Sequence, residues 1–76
     1  MKKCMKNRVK KYRLRKRLTQ RKLGELAGIS QTTVSHMERG TYVPAVDTAL
    51  RVAAVLGVSV EDLFILSERP EKYISM

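Results

Sequence analysis

The chain of 76 residues has one cysteine, one histidine, two prolines and no tryptophan. With Cys4 and His36 each alone, no disulfide framework, zinc knuckle or Cys/His nucleophile pair can be assembled within it. No metal and no cofactor is expected. Hydrophobic runs are short, and none approaches the ~18 residues that a membrane-spanning helix requires. The N-terminal lysines are not followed by an apolar stretch of signal-peptide type, and a lone cysteine fits a reducing compartment, so the expected location is cytoplasmic. Acidic residues are also few, 7 against 16 Lys and Arg, and no carboxylate cluster or nucleophile–base pair is visible. An enzyme is therefore the weakest reading, the more so because a chain this short holds one domain at most.

What is present is apolar residues and positive charge. A 43% hydrophobic content is too high for an unfolded polycation, so a folded basic module is expected. The charge is uneven: residues 1–22 hold twelve Lys and Arg and no acid, while the remainder carries a net −3. So many like charges repel one another unless a partner neutralises them, and nucleic acid is favoured over an anionic membrane or a merely solvated helix face.

The apolar spacing is helical throughout. Val9, Tyr12, Leu14 and Leu18 suggest a first helix over about 7–18, with a basic outer side. Thr19 can cap a second helix to about Ala27, with Leu23, Leu26 and Ala27 inward, and Gly28 ends it. Ser30 caps a third helix through about Arg39, with Val34 and Met37 inward and Gly40 closing it. A fourth runs from about Ala45 or Val46 to Leu56, with Val46, Ala49, Leu50, Ala53 and Leu56 as its expected buried stripe and Gly57 as its stop. Ser59 and Asp62 have capping-box spacing at the start of a short fifth helix bearing Leu63 and Phe64. Five short helices with brief connections predict a compact all-α domain.

Two helices pivoting about Gly28 need a small residue at the close approach, a tight turn and apolar pins on the second helix, and Gly24, Gly28-Ile29 and Val34 with Met37 meet these needs. An ordinary αα-hairpin fits that pattern equally well. The outer face of the third helix weighs against it: Gln31, Thr32, Thr33, Ser35 and His36 are uncharged hydrogen-bonding residues, where a solvated face is usually rich in Lys and Glu. Gln can bond an adenine edge, Thr can meet thymine and His can approach guanine, which is the chemistry of major-groove reading. The cations for phosphate lie elsewhere, on the first helix and at Arg21 and Arg39.

The run Thr19-Gln20, Leu23-Gly24, Leu26-Ala27-Gly28-Ile29-Ser30, Thr33-Val34-Ser35, Met37-Glu38-Arg39-Gly40 resembles the helix-turn-helix of the phage Cro and repressor (Xre-like) family. The similarity continues through Pro44, Leu50, Val52-Ala53, Leu56-Gly57-Val58-Ser59 and Asp62-Leu63-Phe64. It spans about residues 7–66, leaving a basic arm over 1–6 and a tail over 67–76. The resemblance implies a lambda-repressor-like fold with the helix-turn-helix at the second and third helices. It implies a sequence-specific transcriptional regulator, a repressor, binding double-stranded DNA as a homodimer. Gln31, Thr32, Ser35 and His36 then fall at base-reading positions. Gln20, Arg21, Thr33, Arg39, Thr41 and Tyr42 fall at phosphate-binding ones, with Gln20 also bracing Gln31. Arg13 and Glu38 match a structural ion pair between the first and third helices.

Departures from the family pattern carry their own expectations. Ala45 replaces the usual Ser cap of the fourth helix, so that end should lean on Asp47. Ile65, Leu66, Tyr73 and Ile74 leave more apolar surface than a small monomer hides, which points to a dimer interface through the fifth helix and C-terminal region. An antitoxin-like or adaptor protein gripping a protein partner with residues 63–76 is the alternative. An RNA-binding module lacks the exposed aromatics that usually stack unpaired bases.

Overall fold

The computed structural model describes residues 6–65. In chain order they form β1 (Lys6–Asn7), α1 (Val9–Arg15), α2 (Gln20–Ala27), α3 (Gln31–Glu38), α4 (Val46–Leu56), α5 (Val60–Leu63) and β2 (Phe64–Ile65). Hydroxyl side chains set three of the helix starts. Thr19 Oγ1 accepts from the Lys22 amide at 2.9 Å, Ser30 Oγ from Thr33 at 3.0 Å and Ser59 Oγ from Asp62 at 3.1 Å. Asp62 Oδ2 returns a bond to the Ser59 amide at 3.3 Å, which completes the capping box. Each such cap stabilises its helix by about 1 kcal/mol. α4 begins at Ala45 with no side-chain cap and has Asp47 in its first turn, as the sequence suggested.

α1 is shorter than expected, and both ends have a cause. Asn7 is drawn into an antiparallel pair with Phe64, and Lys6 pairs with Ile65. The Arg8 amide then donates to the Leu63 carbonyl at 2.8 Å, so the start of the domain is stitched to α5 and β2. At the other end Arg17 adopts φ 57°, which breaks the helix before Leu18. Of the basic arm over 1–6 only Lys6 is among the described residues, and the tail over 67–76, like Leu66, lies outside them.

Val9, Leu23, Ala27, Val34, Met37, Val52, Ala53, Leu56 and Leu63 form one core. Three residues expected inside are instead exposed: Leu26 at 53%, Val46 at 76% and Leu50 at 56%. On α4 the buried face is Thr48, Ala49, Val52, Ala53 and Leu56, which keeps Ala49, Ala53 and Leu56 of the expected stripe and has Thr48 and Val52 in place of Val46 and Leu50. Apolar residues cover more than half the circumference of α4, and its neighbours α2 and α5, not its periodicity, decide which side is covered. On α1 the buried positions are Val9 and Arg13, while Leu14 is exposed.

The backbones of α2 and the turn before α3 come close together at Gly24. A β-carbon on Gly24 would lie 2.6 Å from the Ile29 carbonyl oxygen, a distance only a glycine permits. Gly28 then turns the chain at φ 76°.

Candidate nucleic-acid interface

α3 is held by its two apolar residues, Val34 and Met37, both wholly buried. Its helical period therefore turns the opposite face, led by Gln31, Thr32 and His36, outward. Gln31, Thr32 and His36 are exposed, and Thr33 and Ser35 are half-buried beside them. Thr33 Oγ1 shares a 2.8 Å hydrogen bond with the capping Ser30 Oγ. At the far end His36 Nδ1 lies 3.5 Å from Arg39 Nη2, and Thr41 Oγ1 donates to the His36 carbonyl at 3.2 Å. Tyr42 follows on the surface at 37% exposure.

A nearly dry polar cluster fixes α3 to α1 and α2. Arg13 Nε and Nη2 donate to the two Glu38 carboxylate oxygens at 2.6 and 3.2 Å, and Arg13 Nη1 donates to the Leu18 carbonyl at 2.8 Å. The two side chains are 9% and 5% exposed. Gln20 Nε2 adds a third bond to Glu38, at 3.0 Å, and so braces Glu38 and not Gln31 as the sequence suggested. No buried side-chain N or O among the described residues is left without a hydrogen-bond partner.

Exposed cations lie on α1 and α2, the helices tied to α3 by this frame. Arg21 sits 3.5 Å from Glu25 with 78% of its side chain exposed, and Lys22 sits 3.9 Å from the same carboxylate. Such surface pairs are worth at most about 1 kcal/mol, so either cation can exchange Glu25 for a phosphate. Lys10, Lys11, Arg15, Lys16 and Arg17 are exposed as well, Arg15 stacking over the Tyr12 ring at 5.4 Å. The arrangement offers neutral hydrogen-bonding groups on an exposed helix face and positive charge on the helices beside it. It can bind a duplex through its phosphates and touch base edges.

Two residues that tie the frame together were not singled out by the sequence. Asn7 Nδ2 donates to the Met37 carbonyl at 2.8 Å while its Oδ1 accepts from the Val9 amide. Arg51 Nε donates to the Ala27 carbonyl at 2.9 Å. Only the Asp47–Arg51 spacing, one helical turn, hinted at the second. Among the described residues there is no His/Cys/Asp/Glu group able to hold a metal ion, and no helix long and apolar enough to cross a membrane.

A helix-turn-helix family model matches residues 9–63. An HTH-type transcriptional regulator of Bacillus subtilis, YgzD, is 42% identical over 64 residues, which are 84% of this chain and 97% of that protein. Among solved structures, the P22 c2 repressor in complex with a synthetic operator superposes with a TM-score of 0.70 at 26% identity, over 71% of this chain and 82% of the repressor. SinR, the master regulator for biofilm formation, in complex with DNA gives 0.67 at 36% identity, over 71% of this chain and 87% of SinR. The chain belongs to the Cro/C1-type helix-turn-helix family of DNA-binding transcriptional regulators, which are not enzymes.

Proposed function

We propose that this protein is a sequence-specific repressor that works in the cytoplasm and docks as a homodimer, with one α3 in each of two successive major grooves. In this reading Gln31, Thr32, Ser35 and His36 read base edges. Gln20, Arg21, Thr33, Arg39, Thr41 and Tyr42 bind phosphates, and the Arg13–Glu38 pair holds the helices in place. The observation that carries it is the outward face of α3, which is uncharged, rich in hydrogen-bonding groups and bordered by exposed cations. Gln20 serves both purposes: one amide hydrogen holds Glu38, and the second is left for a phosphate oxygen.

Support for the homodimer comes from the apolar surface. Val43, Pro44, Val46, Leu50, Val60 and Phe64 are among the residues that line a groove of about 290 Å³. An apolar groove bordered by such exposed residues on a small soluble domain marks an interaction surface. It meets α5, where the sequence placed the dimer contact. Docking in successive major grooves on one face of the duplex requires the two recognition helices to lie about 34 Å apart, one turn, related by a two-fold axis.

Selection from a random duplex library tests this reading. The expected result is an enriched inverted repeat with half-sites about one helical turn apart, bound more weakly as salt rises. Enrichment of no sequence, or of single-stranded RNA in a parallel selection, would refute it.

A further inference from the structure

One side chain holds the bend between α2 and α3 from outside. Arg51, on the exposed side of α4, donates from Nε to the Ala27 carbonyl at 2.9 Å and from Nη1 to Asp47 Oδ2 at 3.1 Å. Ala27 is the last residue of α2, and its carbonyl lacks the amide partner that a continuing helix would supply. Arg51 Nε also stands 4.0 Å from the place where a Gly28 β-carbon would sit, so the guanidinium lies over the bend itself.

Arg51 joins α4 to the end of α2, and α4 and the α3 beyond the bend differ in how they are anchored. α4 is seated in the core by Thr48, Ala49, Val52, Ala53 and Leu56, and Asp47 keeps the guanidinium aimed. α3 packs chiefly against α2, and less against α1, so its place relative to α4 depends on α2 and the bend as well as on the Arg13–Glu38 pair. A planar guanidinium making two bonds fixes direction as well as distance.

We propose that Arg51 is a positioning residue for base reading: it locks the α2–α3 bend against α4, so that Gln31 and His36 enter the groove in a single pose. Arg51 itself touches neither base nor phosphate in this role. The inference rests on α3 being the base-reading helix.

The test uses the duplex that the wild-type protein selects and an unrelated duplex of equal length, at a temperature where circular dichroism shows each variant folded. The wild type must first prefer the selected duplex. If it shows no preference, the base-reading role of α3 fails and the role of Arg51 fails with it. If the preference is present, Arg51 is judged separately. Arg51→Met keeps the aliphatic stem and removes both bonds, and Arg51→Lys restores a single donor. The expected result for Arg51→Met is a selected-to-unrelated affinity ratio lowered about three- to tenfold, with partial recovery in Arg51→Lys and the same salt dependence as the wild type. Asp47→Asn leaves the Ala27 bond in place but frees the guanidinium, and should lower the ratio by about twofold. Equal losses on both duplexes, with a salt slope shallower by about one, would make Arg51 a phosphate ligand and overturn the proposal. An unchanged ratio with only a lower melting temperature would confine Arg51 to fold stability and overturn it too.

Discussion

Ala45 leaves the first turn of α4 without a side-chain cap, and Asp47 takes over part of that task. The Arg51 guanidinium beside it, and then the Thr48 amide, hold the Asp47 carboxyl below its ordinary value of 3.8. Folding therefore favours the ionised form. A carboxylate of this kind adds stability above its unfolded pKa and loses it as pH falls through the lower folded one. Asp47→Asn keeps the shape without the charge. Its melting temperature should lie below that of the wild type near about pH 6, and the gap should close as the pH falls toward about 2. A gap that stays constant over that range would show that the charge is not responsible. The Asp47–Arg51 spacing was legible in the sequence, but the Arg51 bond to Ala27 was not. A cation on an exposed helix face reads the same whether it faces water or a carbonyl brought near by tertiary packing.

The helices show more generally which features the sequence makes legible. α2, α3 and α5 begin where expected because Thr19, Ser30 and Ser59 are local signals, each bonding an amide three residues on. The outward face of α3 was legible for the same reason, since Val34 and Met37 define its inner side. The buried sides of α2 and α4 were read less well, as Leu26, Val46 and Leu50 show, because an apolar helix can present either of two faces to its neighbours. The β1–β2 ribbon carried no signal, two-residue strands being too short for any alternation. Arg13, Glu38 and Gln20 join three of these elements, α1, α3 and α2. Breaking one side of a buried pair leaves a charge without a partner, so Arg13→Met alone should cost about 3–5 kcal/mol in urea denaturation. The double variant Arg13→Met, Glu38→Met should recover much of that loss. Strictly additive losses would mean that the two side chains stabilise the fold independently.

At the scale of the whole molecule, two surfaces differ in chemistry. One is polar and cationic around α3, and the other is apolar around Val43, Val46 and Leu50. The composition announced the first through its N-terminal charge. The second emerged only when α4 turned Val46 and Leu50 outward. If that groove joins two copies, Leu50→Glu should give a monomer in sedimentation equilibrium, with the fold intact because Leu50 is half-exposed already. Affinity for an inverted repeat should then drop by about a hundredfold or more, since each half-site is bound alone. A stable dimer in that variant would place the interface elsewhere. The central claim, however, is that α3 reads base pairs, and Gln31→Ala tests it most directly when its affinity is measured on single-base variants of the selected duplex. The account predicts a loss of about 1–3 kcal/mol on the selected duplex, confined to the preference at one base position in each half-site, with unrelated DNA bound as before. An equal loss on every sequence, the whole pattern of base preferences unchanged, would contradict it.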